Sequence, residues 1–341
     1  MNNEFFAALE LLEKEEGIAK EYMMQKVEAA LISAYKRDFG GYSNVKVVID
    51  EVKKDVKVYQ QKEVVEEVED PITQINLADA KKRNRRATIG DVVDIEVDPK
   101  KFRRLSAQNG KQVIIQGSRE AKREKAARAY ESKREEIINA RVSRIDPENG
   151  NVIVETANGH ATLLATELIP GEHFVAGDHI KVFISEVNRE MRGPLVTLSR
   201  THPNFVKRLF ELDVPEIQDG TVVIKSITRE PGSRTKMAVY SQDENVDPVG
   251  TCIGNRGMRI NAIIKELNGE KIDVVRYSEK PEEFIAAALA PASVREVILD
   301  GERSCQVLVN EDQLSLAIGK VGQNARLAAR LTGFKIDIKT K

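Results

Sequence analysis

The sequence has no tryptophan, and aromatic residues make up only 5% of it. It has two cysteines, Cys252 and Cys305, 53 positions apart, with no Cys or His partner at metal-ligand spacing. A reduced cytoplasm is the expected setting. No apolar run approaches the roughly 18 residues of a membrane span. The start of the chain, MNNEFFAALELLEKEEG, is acidic and amphipathic and unlike a signal peptide. The four histidines, His160, His173, His179 and His202, show no metal-ligand spacing either. Neither cysteine has a nearby base, no Asp-rich metal loop occurs, and no phosphate-binding catalytic domain is visible. These absences point away from an enzyme, and no cofactor is expected.

What is present is length and charge. A chain of 341 residues with 31% charged residues is expected to be soluble and divided into several domains. The formal net charge is −1, which excludes a uniformly basic nucleic-acid binder. The charge is uneven, however. Residues 1–100 carry sixteen Lys/Arg against twenty-one Asp/Glu, and residues 101–201 carry seventeen against thirteen. Any electrostatic footprint is therefore local.

Along the chain, Phe5, Phe6, Leu9 and Leu12 recur at helical spacing. After Gly17 the same spacing returns with Ile18, Tyr22, Met23, Val27, Leu31, Ala34 and Tyr35, until Gly40-Gly41 ends the run. NVKVVID, DVKVYQQ and IGDVVDIEV read as strands, and PITQINLADAKK as a short helix. KKRNRR, Lys81 to Arg86, reads as a solvated loop in preference to a specific RNA site. From Arg104 to about Ile138 the proline-free run around REAKREKAARAYESKREE reads as one long helix or a helix pair, interrupted at Gly110 and Gly117. Its weak apolar face is that of a helix that bridges domains. Then IINARVSRI, NVIVETA, HATLLAT, HIKVFISEV and PLVTLSR form five strand-like runs separated by turn signals, the pattern of a small OB-type barrel. Phe174, Phe183 and His160 are scattered across it and read as core or turn residues rather than a base-stacking platform.

The last 140 residues repeat. CIGNRG and AIGKVG share the pattern Ile-Gly-x-x-Gly, 65 positions apart. GMRINAIIKELNGEKIDVV aligns with GQNARLAARLTGFKIDI after one deletion. Each copy has the order α-β-β-α-α-β, with the glycine loop between consecutive helices. Such a loop brings bare backbone close to a ligand. The following helix offers its N-terminal N–H groups and positive dipole end to an anion. That is the chemistry of clamping a nucleotide backbone, the mode of KH domains. The expected RNA-binding residues are Gly254, Asn255, Arg256, Gly257 and Arg259 in the first copy. In the second they are Gly319, Lys320, Val321, Gly322, Asn324 and Arg326.

With the stretch GDHIKVFISEVNREMRGPLVTLSRTHPNFVKRLFELDVPEIQDG, which continues through CIGNRG to KIDVV, and with LSAQNGKQVIIQGSREAKRE, the chain resembles the NusA family of bacterial transcription elongation, termination and antitermination factors. The resemblance covers essentially the whole chain. It implies a multidomain α+β protein: an N-terminal RNA polymerase-binding domain (1–103), a long linker helix (104–136), an S1 domain of the OB type (137–200), and two tandem type II KH domains (201–278 and 279–341). It further implies a cytoplasmic monomer that binds RNA polymerase and nascent single-stranded RNA, modulates pausing, termination and antitermination, and leaves room for other antitermination factors as partners. The sequence departs from the family in three places: FRRLSAQNGKQ lacks a glycine before its arginine, the barrel opens with NARVSRI where a glycine is usual, and it lacks paired stacking aromatics. The acidic C-terminal repeats of some members are not in this sequence. Polynucleotide phosphorylase also combines KH and S1 modules, so those modules alone do not separate a binder from an enzyme. The alternative binding role, on the ribosome or messenger RNA without polymerase, is distinguished by the first 100 residues.

Overall fold

Helical spacing of apolar residues over the first forty positions produces two helices, α1 (Asn2–Glu16) and α2 (Lys20–Asp38), parted at Gly17, whose φ is +64°. The computed structural model describes residues 2–38, 40–97, 99–190 and 193–340; the side chains of 2–5, 8, 15, 16, 38 and 99–114 lie outside that description, Phe5 among them. Strands β1 (Val45–Asp50), β2 (Asp55–Val65), β3 (Gln74–Asn76) and β4 (Val92–Glu96) form one sheet, in which β2 pairs with each of the others. Val27, Leu31 and Tyr35 of α2 pack on Val45, Val47 and Val58.

The segment PITQINLADAKK is not one helix. Asn76 takes an extended conformation and caps α3 (Leu77–Arg83) by accepting from the Ala78 N–H, so the residues before it join the sheet as β3. The basic run 81–86 is exposed throughout, but it is not all loop: Lys81, Lys82 and Arg83 form the last turn of α3, where cations suit the negative end of the helix dipole.

The long helix α4 spans Pro99–Glu131, unbroken through Gly110 and Gly117. It starts earlier than the expected residue 104 because a proline is well placed at the first helical position. It ends short of 136 because Glu135 takes a left-handed φ of +61° and leads directly into a strand. Gly117 is there for packing: a Cβ would lie 2.9 Å from Met23 Cε, and Met23 is fully buried. The chain divides into two compact units, Met1–Lys125 and Ala126–Lys341, with the boundary inside α4.

The second unit opens with a barrel of β5 (Ile137–Ile145), β6 (Val152–Thr156), β7 (Gly159–Leu163), β8 (His179–Val187) and β9 (Val196–Ser199), matching the five strand-like runs. The order is β7-β6-β5-β8-β9, all antiparallel, and β7 comes to lie beside β9, so the barrel nearly closes. Tyr130 from the end of α4 is buried in its core, with its hydroxyl 2.6 Å from Thr156 Oγ1.

The first repeat follows: α5 (Pro203–Asp213), the short α6 (Pro215–Gln218), β10 (Val222–Glu230), β11 (Arg234–Ser241), α7 (Pro248–Ile253), α8 (Met258–Glu266) and β12 (Lys271–Arg276). The second is α9 (Pro281–Ala288), β13 (Val294–Leu299), β14 (Ser304–Val309), α10 (Glu311–Ile318), α11 (Gln323–Thr332) and β15 (Lys335–Thr340). In both, the middle strand pairs antiparallel with the first and parallel with the last. Even the register shift recurs, between Ile224 and Ser226 in one copy and between Val294 and Glu296 in the other.

Candidate nucleic-acid interface

Each glycine loop follows one backbone path. Gly254 leaves α7 at φ 76°, ψ 171°, and Gly319 leaves α10 at φ 75°, ψ 174°. Side chains other than hydrogen are strained in that region. Arg256 (φ 52°, ψ 28°) and Val321 (φ 53°, ψ 32°) are left-handed. Gly257 (φ 75°, ψ 14°) and Gly322 (φ 74°, ψ 15°) then start α8 and α11. The Gly257 N–H bonds the Gly254 carbonyl at 3.0 Å, and the Gly322 N–H bonds that of Gly319 at 3.1 Å.

The first glycine of each loop also lets the next helix approach. A Cβ on Gly254 would come 2.7 Å from Arg259 Cγ, and one on Gly319 would come 2.8 Å from the main-chain nitrogen of Asn324. The backbone is thus bare where it passes over the helix start, and the inner side chains point outward. Asn255, Arg256, Lys320 and Val321 are all exposed.

Apolar side chains flank the cations, and apart from Val321 none of them stands out in the sequence. Ile253 and Met258 are exposed beside the first loop, and Leu316, Ile318 and Val321 beside the second, Val321 at 84%. Exposed Ile, Leu and Met on an amphipathic helix look like core in sequence. A cation and N–H groups for phosphate beside an apolar surface for unstacked bases is the arrangement that grips single-stranded RNA.

Not every expected site residue faces solvent. Asn324 is 1% exposed, and its Nδ2 donates to the carbonyls of Leu289, Leu316 and Ala317 at 2.9–3.2 Å. Its side chain cannot reach RNA; it pins the loop from beneath. Arg259, at the equivalent position, donates through Nη1 to Glu216 and to the Thr251 carbonyl, both at 2.9 Å, and so ties α8 to α6 and α7. Arg326 remains half-exposed, its Nη1 on the Val321 carbonyl and its Nη2 3.2 Å from Glu230.

Buried charges hold the two loops in one body, and these too were unread in the sequence. Arg229 and Glu270 are bonded at 2.9 Å with both side chains fully buried. Arg229 also donates to the carbonyls of Arg200 and His202, at the junction of the barrel with the first repeat. Arg200, nearly buried, bonds Glu172 of the barrel and Glu266 of α8, and lies over the rings of Phe174 and Phe205. Phe183 is buried against His202 with ring centroids 4.9 Å apart, so Phe174 and Phe183 serve packing, while His160 stands exposed on β7. Between the repeats, Ser226 and Thr228 of β10 donate to the carbonyls of Leu331 and Leu327 on α11. Lys236, pulled below its usual ammonium value by burial, bonds Asp273 at 2.9 Å and the Ala290 carbonyl at 2.7 Å.

Helix α7 is capped by Asp247, which accepts from the N–H groups of Val249 and Gly250. Its carboxyl is held below the usual carboxylate value, first by the Arg276 hydrogen bond and then by those N–H groups. Under the first loop, burial pushes the Cys252 thiol up to about 12, far from a nucleophile's range. Among the described residues, no group of three or more His, Cys, Asp or Glu could hold a metal ion, and no helix is long and apolar enough to cross a membrane.

Comparison with known proteins gives this geometry a family. The model of the NusA N-terminal domain matches residues 4–124, that of the NusA-like first KH domain residues 200–277, and that of the NusA-like second KH domain residues 281–341. The transcription termination/antitermination protein NusA of Halalkalibacterium halodurans is 48% identical over 342 residues, covering 100% of this chain and 89% of that protein. The chain belongs to the NusA family. The NusA of Bacillus subtilis is 47% identical, with 100% and 92% covered, and that of Thermus thermophilus 39% identical, with 99% and 90% covered. The solution structure of the N-terminal domain of NusA from B. subtilis is 46% identical and covers 36% of this chain and 99% of that chain, with a TM-score of 0.32. The two repeats are therefore KH domains of the NusA type, and the five-stranded barrel before them is S1-like.

Proposed function

We propose that this chain is a transcription termination and antitermination factor that binds RNA polymerase and nascent single-stranded RNA. The N-terminal domain docks on polymerase, α4 (Pro99–Glu131) forms the linker, and the segments 137–200, 201–278 and 279–341 carry the S1 and KH modules. The chain acts as a cytoplasmic monomer and by binding rather than catalysis. The one observation that carries the RNA half of this reading is the pair of loops with the same backbone, each with an exposed cation and apolar neighbours.

The contacts to RNA are Gly254 to Gly257, Gly319 to Gly322 and Arg326, with Arg259 and Asn324 positioning the loops. Because the KH domains are packed on each other, the second grip follows the first at high effective concentration, and two weak contacts become one useful affinity. The polymerase half rests on the match of residues 4–124 to the NusA N-terminal domain.

Binding of the full chain to core RNA polymerase and, separately, to a single-stranded oligoribonucleotide tests both halves. With a footprint of four to six phosphates, the RNA affinity falls with salt at a log–log slope of about −3 to −4. A slope near zero overturns the RNA half. Retention of RNA without any capture of polymerase favours the ribosome or messenger RNA as the target.

A further inference from the structure

The two loops share a backbone but not an electrostatic environment. Among the described residues neither Arg256 nor Lys320 is ion-paired. The helix after the second loop, however, meets a carboxylate from the other KH domain. Glu230, the last residue of β10, accepts from Gln323 Nε2 at 2.7 Å and from Arg326 Nη2 at 3.2 Å. Gln323 also reaches Ser233 Oγ at 2.7 Å. Gln323 is the first residue of α11, and Arg326 sits against the Val321 carbonyl of the loop itself. At the same two positions after the first loop stand Met258 and Asn261, which bring no cation; the cation on that turn is Arg259, paired with Glu216 of its own KH domain.

We propose that Glu230 is an intramolecular competitor of RNA at the second loop: in the free chain its carboxylate occupies the donors of Gln323 and Arg326 that a phosphate takes in the complex. This rests on the reading of the loops as RNA clamps. The physical argument is one of charge and place. The N-terminal end of α11 favours an anion, and Glu230 already supplies one beside it. Its carboxyl is held below the usual value, by the Gln323 hydrogen bond first and by Arg326 as well, so it is ionised at neutral pH. A phosphate entering the second loop must displace that carboxylate from Arg326 or sit beside a like charge. At the first loop the nearby carboxylate is Glu216, which Arg259 holds against α6 within the same KH domain, so only at the second loop does the other KH domain supply the anion.

The test uses the full chain with the first loop disabled by Asn255→Asp and Arg256→Asp, titrated with a single-stranded oligoribonucleotide. Adding Glu230→Gln keeps an acceptor for Gln323 and removes the charge. Affinity is expected to rise about threefold, the scale of one exposed ion pair. The log–log salt slope is expected to steepen by about 0.7, the share of one more phosphate. Glu230→Asp keeps the charge and is expected to gain nothing, and Arg326→Met is expected to cancel the gain of Glu230→Gln. Unchanged or weaker binding by Glu230→Gln, with an unchanged slope and thermal midpoint, overturns the proposal and leaves Glu230 as a tie between domains. A loss of binding together with a lowered midpoint overturns it as well. Introducing Lys320→Asp and Val321→Asp in the same background separates the two readings: if binding is indifferent to them, the clamp reading itself fails, and the proposal with it.

Discussion

Arg256 and Val321 stand at the same point of two loops 65 residues apart and share one left-handed backbone, φ 52° and ψ 28° in the first and φ 53° and ψ 32° in the second. Neither is a glycine, and Val321 is β-branched, so its strain is the greater. The KH frame imposes the conformation and the residue tolerates it. Val321→Gly is expected to raise the thermal stability of the second KH domain by about 1 kcal/mol, the usual cost of a left-handed non-glycine residue. A drop in the midpoint would mean that Val321 makes a contact worth more than its strain.

Asn324 gives the opposite expectation. Its amide serves three backbone carbonyls from a fully buried place. Asn324→Ala leaves them unpaired and is expected to destabilise the second KH domain by about 1–3 kcal/mol. Its effect on RNA binding is expected to vanish at temperatures where the variant is folded. A large affinity loss with an unchanged melting curve would return Asn324 to the RNA surface.

The buried Arg229–Glu270 pair is the joint between the barrel and the first KH domain. Glu270→Ala strands a buried guanidinium and is expected to cost about 3–5 kcal/mol. Replacing both partners with apolar residues is expected to cost much less than the two single substitutions combined. Chemical denaturation of the natural chain, the two single variants and the double variant checks the coupling.

The cap of the first loop's helix is pH-sensitive. The folded Asp247 carboxyl lies below its unfolded value, so its contribution to stability is present above the unfolded pKa of about 4 and is lost as pH falls through the folded one. Melting below about pH 4 is expected to be steeper for the natural chain than for Asp247→Asn, whose amide oxygen caps the helix at every pH. Parallel curves for the two proteins would assign the acid response elsewhere.

Much of this was legible in sequence because it rests on local pattern. Period-two runs marked all five barrel strands, and glycine spacing marked both loops and the repeat that carries them. What stayed hidden depends on distant residues. Arg200, Arg229 and Lys236 look like ordinary surface charges in a chain that is 31% charged, and nothing local says that Glu172, Glu270 or Asp273 will meet them in the interior. Asn324 looks like a polar residue on the first turn of a helix, the right place for a phosphate contact, until the packing of α9 and α10 encloses it. Helix α4 starts at Pro99, before the expected residue 104, because the basic run there has no apolar periodicity and only the proline marks the start.

The central claim, that the two loops are the grips on RNA, is tested most directly by one titration. A single-stranded oligoribonucleotide is titrated into the natural chain, into Asn255→Asp/Arg256→Asp, into Lys320→Asp/Val321→Asp, and into the chain with all four changes, with melting curves confirming that each is folded. Each pair is expected to cost about 1–3 kcal/mol of RNA binding, and the fourfold variant is expected to lose more than either pair. Natural affinity in both paired variants, with folding intact, would contradict the account.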